Sequence, residues 1–87
     1  MITVKKFSAS WCHPCRSLNP ILAEVRNEVS GVSFSDIDVD DNPTTASHYN
    51  VRNVPTVVIE SEGREVARFV GVHSKQTYLN AITANSK

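Results

Sequence analysis

Trp11-Cys12-His13-Pro14-Cys15 is the stretch on which the reading of this chain turns. Its two cysteines are the only ones among 87 residues, and they stand two residues apart. A disulfide between them closes a tiny loop. Stabilisation from chain entropy grows with loop length, so such a bridge constrains little. Two close cysteines in a reducing compartment point instead to redox chemistry or to metal binding. Zinc usually takes four ligands, and no second cysteine pair exists to complete the set. His13, His48 and His73 remain as candidates, but no two of them have finger-like spacing. A zinc half-site and an inert structural disulfide are the alternatives to redox work.

Outward from the motif, Ile2 to Phe7 reads as a short strand and Ser8 to Trp11 as a loop. A helix is predicted to begin at or just after Cys12, with Pro14 tolerated in its first turn. Leu18, Ile21, Leu22, Val25 and Val29 recur at threes and fours and form one buried stripe. Pro20 falls inside this run and predicts a kink. Gly31 reads as the helix stop. Val32 to Val39 is the second strand, with Val32, Phe34, Asp36 and Asp38 on one face. Asn42-Pro43 starts a short helix to about Tyr49. Thr56 to Glu60 and Glu65 to Val70 form a hairpin around the Glu62-Gly63 turn. Ser74 caps a last helix with Tyr78, Leu79 and Ile82 facing inward. The order β-α-β-α-β-β-α predicts an α/β fold with a central mixed four-stranded sheet. Its first βαβ is a right-handed parallel unit, and helices cover both faces.

Composition sets outer limits. The length predicts one domain, residues 1–87, with a modest core. Hydrophobic residues make up 40% and charged residues 21%, an ordinary globular mixture. Nine basic residues balance nine acidic ones, so neither nucleic acid nor an anionic membrane is an expected partner. No apolar stretch approaches the ~20 residues that span a bilayer. Met1 to Lys6 has no apolar core of a signal peptide, so a cytoplasmic location and a monomeric state are the expectations.

Thiol–disulfide exchange needs a low-pKa thiolate and a second thiol that resolves the mixed disulfide. Cys12 at a helix N-terminus faces unpaired N–H groups and the positive end of the dipole. Cys15 lies one turn further in. This asymmetry assigns attack to Cys12 and resolution to Cys15. Pro14 stiffens the turn. His13, when protonated, favours the thiolate and hence the reduced state, which makes the disulfide a better oxidant.

The motif, Pro20, Val54-Pro55-Thr56, Asp40-Asp41-Asn42-Pro43, Asn50-Val51-Arg52, Gly63 and Val70-Gly71 together resemble the thioredoxin family, in register from about Val4 to Ala84. The resemblance implies a cis Val54–Pro55 bond packed on the cysteines. It also implies a flat apolar docking rim of Trp11, Val54, Pro55, Val70, Gly71 and Val72. Full-length members carry an extra strand and helix ahead of the strand that opens this chain, which predicts a less covered sheet edge and face. Thioredoxins usually have Gly-Pro between the cysteines, where this chain has His-Pro. Disulfide isomerases carry Gly-His and periplasmic oxidants Pro-His.

The family's buried acid beneath the resolving cysteine falls on Lys6, and its partner lysine on Asp36, so the signs are exchanged. Strand alternation puts Asp36 on the face of Val32 and Phe34 and predicts a buried Lys6–Asp36 pair. Either Asp36 or a neutral Lys6 then takes the Cys15 proton. The alternative is a Lys6 that reaches solvent and an exposed Asp36. Arg52, His48 and His73 read as surface residues, and Asp40 and Asp41 as loop and helix-start residues.

The resemblance implies a dithiol reductant of protein disulfides with no organic cofactor and no metal. A flavin-dependent thioredoxin reductase would be its electron donor and ribonucleotide reductase an acceptor. A glutaredoxin- or isomerase-like role and a non-catalytic binding subunit are the competing readings.

Overall fold

The computed structural model of the chain describes residues 1–86. It contains β1 (Ile2–Ser8), α1 (His13–Glu28), β2 (Val32–Asp38), α2 (Pro43–His48), β3 (Thr56–Ser61), β4 (Arg64–Val70) and α3 (Lys75–Ala84). The four strands form one sheet in the order β2-β1-β3-β4. β1 pairs parallel with β2, while β1–β3 and β3–β4 are antiparallel. The mixed sheet and the element order are those the sequence predicts.

Alternation along β1 explains the layering. Ile2, Val4 and Lys6 point to one face, where Val4 meets Ile59 and Lys6 meets Val57 across the ladder. On that face Ile2, Val4, Val57 and Ile59 pack with Leu18, Leu22 and Val25 of α1 and with Tyr78 and Ile82 of α3. The apolar stripe of α1 therefore delivers the helix onto the sheet at a fixed angle of roll, which fixes where its N-terminus lies. The helix runs unbroken through Pro20 and ends at Glu28. Gly31 lies beyond its end, at φ 70°, rather than at the cap itself. The β3–β4 hairpin turns through Glu62 and Gly63, both at positive φ, 52° and 78°. A two-residue turn with two positive φ values matches the twist of the strands it joins.

The opposite face is covered differently. Phe7 stacks on Tyr49, at the end of α2, with ring centroids 5.3 Å apart. Beside them the contact is polar: the Tyr49 hydroxyl accepts from Lys5 Nζ at 2.5 Å and donates to Glu60 at 2.8 Å. Lys5 and Glu60 are themselves 3.1 Å apart. Arg68 donates to the Tyr49 carbonyl at 2.6 Å and pairs with Glu65. A charged lattice thus stands where a second apolar layer would otherwise lie, and its members satisfy one another.

Candidate active site

The parallel strands β1 and β2 end on the same side of the sheet, and the site lies there. The Val39 N–H donates to the Ser8 carbonyl at 2.9 Å, tying the two strand exits together. Beyond Ser8 the Cys12 N–H donates to the Ala9 carbonyl at 3.1 Å, and this turn places Cys12 as the N-cap of α1. Serine, threonine and aspartate usually hold this position because a side-chain acceptor can take up an orphan N–H. Here the acceptor is sulfur: the Cys15 N–H donates to Cys12 Sγ at 3.2 Å.

Cys12 and Cys15 are joined by a disulfide, with Cα atoms 5.4 Å apart. Both are buried and pack with Ala9, Val39 and Val54. An N–H aimed at Cys12 Sγ, at the positive end of a 16-residue helix, favours negative charge on that sulfur once the disulfide opens. Pro14 in the first turn removes a donor that would have had no acceptor in the helix. His13 and Pro14 are both exposed.

The segment facing the disulfide is Val54-Pro55, whose peptide bond is cis. The Pro55 carbonyl accepts from the Gly71 N–H at 2.8 Å, and Gly71 has φ 86°, a conformation open to glycine at no steric cost. Gly71 therefore draws the loop after β4 up against the proline. Of the apolar rim that the sequence predicts, Trp11 (65% exposed), Val70 (55%) and Val72 (41%) present their side chains to solvent. Val54 and Gly71 are half-buried, and Pro55 is buried, so proline forms the floor of this surface rather than its rim.

Trp11 is fixed by a contact that sequence reasoning did not supply: its indole N–H donates to Asp40 Oδ2 at 2.9 Å. Asp40 is in turn placed by Asp38, whose Oδ1 accepts from the N–H groups of Asp40 at 2.8 Å and Asp41 at 3.3 Å. Trp11, Val39, Val51, Arg52, Asn53 and Val54 line an open cleft of about 240 Å³ next to Cys12. Arg52 is exposed, as predicted, and so is His48. His73 is not a plain surface residue: its ring packs on Phe69 and Tyr78, and its Nε2 lies 2.9 Å from the Val70 carbonyl.

The expected buried Lys6–Asp36 pair takes another form. Lys6 is buried, at 8% exposure, but the Asp36 side chain is 79% exposed. Their charged atoms are 3.5 Å apart. β2 is an edge strand, so α1 covers Phe34 and leaves the side chain two residues on in water. Asn19 supplies the contact that Asp36 was expected to give: its Oδ1 accepts a hydrogen bond from Lys6 Nζ. Asn19 stands one helical turn after Cys15, a spacing that shares a face and was legible in principle. Lys6, Cys15, Asn19, Arg16, Asp38, Ser8, Ala9 and Ser10 together line a cavity of about 210 Å³ below the disulfide.

Among the described residues no cluster of three or more His, Cys, Asp or Glu residues is placed to hold a metal ion. No described helix is long and apolar enough to cross a membrane.

The family model named Thioredoxin matches residues 1–84. The chain belongs to the thioredoxin family. It is 38% identical over 80 residues to a thioredoxin of Chlamydia caviae, an alignment that covers 92% of this chain and 78% of the relative. Among solved structures, a mutant thioredoxin from Halobacterium salinarum NRC-1 superposes with a TM-score of 0.89 at 34% identity, covering 99% of this chain and 75% of that one. Fasciola hepatica thioredoxin gives 0.88 at 36% identity, covering 97% and 80%. With a Cys12–Cys15 disulfide at the helix start, this membership makes the chain a protein-disulfide oxidoreductase. Thioredoxins work through the disulfide itself rather than through a bound cofactor, and exchange electrons with disulfide-containing proteins and a reductase.

Proposed function

We propose that this chain is a cytoplasmic, monomeric, single-domain dithiol reductant of protein disulfides, with Cys12 as nucleophile and Cys15 as resolving cysteine. The observation that carries the reading is the Cys15 N–H directed at Cys12 Sγ at the N-cap of α1. A helix end that donates to one sulfur distinguishes the two cysteines chemically.

In the forward reaction the Cys12 thiolate attacks one sulfur of a substrate disulfide and expels the other as a thiolate. The Cys15 thiolate then attacks Cys12 Sγ of the mixed disulfide, forms the Cys12–Cys15 bond and expels the second substrate thiolate. Two electrons pass from the dithiol to the substrate, and the two protons lost by the cysteines are matched by those the product thiols take up. A flavin-dependent reductase of the thioredoxin reductase type returns the electrons, and ribonucleotide reductase is a fitting acceptor.

Trp11, Val70 and Val72 offer the exposed apolar surface on which an extended substrate segment lies, with Val54, Pro55 and Gly71 as its floor. His13 and Pro14 tune the thiolate from the first turn of the helix. Insulin disulfide reduction with dithiothreitol tests the reading. The wild-type chain accelerates it and Cys12→Ser does not; equal rates, with Cys12→Ser still binding a partner, would instead make the chain a docking module.

A further inference from the structure

Lys6 takes no part in these steps, yet it is a buried cation that lines the same cavity as the resolving cysteine. Its Nζ has two oxygen neighbours, Asn19 Oδ1 and, at 3.5 Å, Asp36 Oδ1. Neither neutralises it well. Asn19 is uncharged, and Asp36 stands mostly in water, where its charge is screened. From β3, Lys6 meets the apolar Val57. The remaining charged groups around the cavity are Asp38 of β2 and Arg16 of α1. Asp38 already spends one carboxylate oxygen on the N–H groups of Asp40 and Asp41. Arg16 adds a second positive charge.

A poorly compensated buried cation is stabilised by any anion formed beside it, because the pair interacts in a medium less polar than water. The Cys15 thiolate is such an anion, and it exists only in the reduced chain. We infer that the Lys6 ammonium stabilises the Cys15 thiolate, so that a positive charge under the site promotes the resolving step. The inference deepens the proposed function, since it rests on Cys15 as the resolving thiol. Cys15 S–H loses its proton to water in the cavity. The thiolate attacks Cys12 Sγ, the Cys12–substrate bond breaks, and the substrate sulfur leaves with the electron pair and takes up a proton. Lys6 touches none of the reacting atoms in this scheme and acts as a positioning charge.

The test measures the equilibrium between the dithiol and disulfide forms against dithiothreitol across pH, for wild type, Lys6→Met and Lys6→Arg. Circular dichroism checks the fold of each. Dithiothreitol is common to all three, so its own titration cancels in the ratio of constants. Where all thiols are protonated, Lys6→Met and wild type share one constant. As pH rises through the thiol range near 8.5, wild type favours the dithiol increasingly over Lys6→Met, approaching about tenfold for one unit of thiol shift, or about 30 mV. Lys6→Arg follows wild type. A ratio that is flat with pH, or a Lys6→Met dithiol that gains on wild type, overturns the inference, because a purely structural Lys6 gives a constant offset. If Lys6→Met does not fold, Lys6→Gln removes the charge and keeps a polar group, and the same criteria apply. Insulin reduction by wild type is read separately. An inactive wild type with a pH-dependent ratio sinks the reductase reading and keeps the charge effect, whereas an active wild type with a flat ratio does the reverse.

Discussion

Replacing Tyr49 by phenylalanine tests how the polar face of the sheet is held. The substitution keeps the ring that stacks on Phe7 at 5.3 Å and removes only the hydroxyl. That oxygen accepts from Lys5 at 2.5 Å and donates to Glu60 at 2.8 Å. Glu60 is buried, at 9% exposure, so it cannot simply turn to water. Its direct contact with Lys5 at 3.1 Å survives, and Arg68 still reaches the Tyr49 carbonyl. The net loss is therefore close to one hydrogen bond to a charged group, about 2 kcal/mol. In a domain of this size that lowers Tm by roughly 8–16 °C. Urea unfolding of the two proteins under identical redox conditions measures it, with the midpoint falling and the slope unchanged. A difference below about 0.5 kcal/mol, the level of an ordinary surface substitution, refutes the claim that the hydroxyl holds this lattice together.

The same lattice predicts alkaline lability. Lys5 titrates above its ordinary 10.5, chiefly through its hydrogen bond to Tyr49 and then through Glu60, and burial raises Tyr78 above 10.0. Both raised values mean stability that is complete below the unfolded pKa and is lost as pH climbs through the folded one, so urea midpoints fall above about pH 10; midpoints flat into that range contradict it. Asp40→Ala frees the Trp11 indole, and loss of an exposed hydrogen bond of about 1 kcal/mol predicts a KM for protein disulfides raised roughly fivefold with kcat little changed. A kcat loss at constant KM points instead to a disturbed disulfide. His13→Gly makes the reduction potential more negative, and an unchanged or less negative potential shows that His13 does not stabilise the thiolate.

Elements with a strong local signature were legible from the residues alone. The apolar stripe from Leu18 to Val25, Pro14 in the first turn and Ser74 before the last helix placed α1 and α3 within a residue or two. Glu62-Gly63 marked the hairpin for the same reason, since turn chemistry is local. Asp36 shows where such reasoning stops. Alternation correctly assigned its face, but exposure on an edge strand depends on how far the neighbouring helix reaches, which no strand pattern encodes. Tyr49, Glu60, Lys5 and Arg68 come together from α2 and three strands. Their meeting is a property of strand order, and the sequence carries them only as scattered polar residues. The hydrogen bond from Trp11 to Asp40 was hidden likewise, because it spans two loops that only the parallel pairing of β1 and β2 brings together.

The most direct measurement is the pH dependence of iodoacetamide alkylation of the reduced chain, followed at Cys12 by peptide mass. A helix end that holds negative charge on this sulfur predicts a titration midpoint clearly below the ~8.5 of an unperturbed thiol, with Cys12 modified well ahead of Cys15. A midpoint at the ordinary thiol value, with the two sulfurs modified at equal rates, contradicts it.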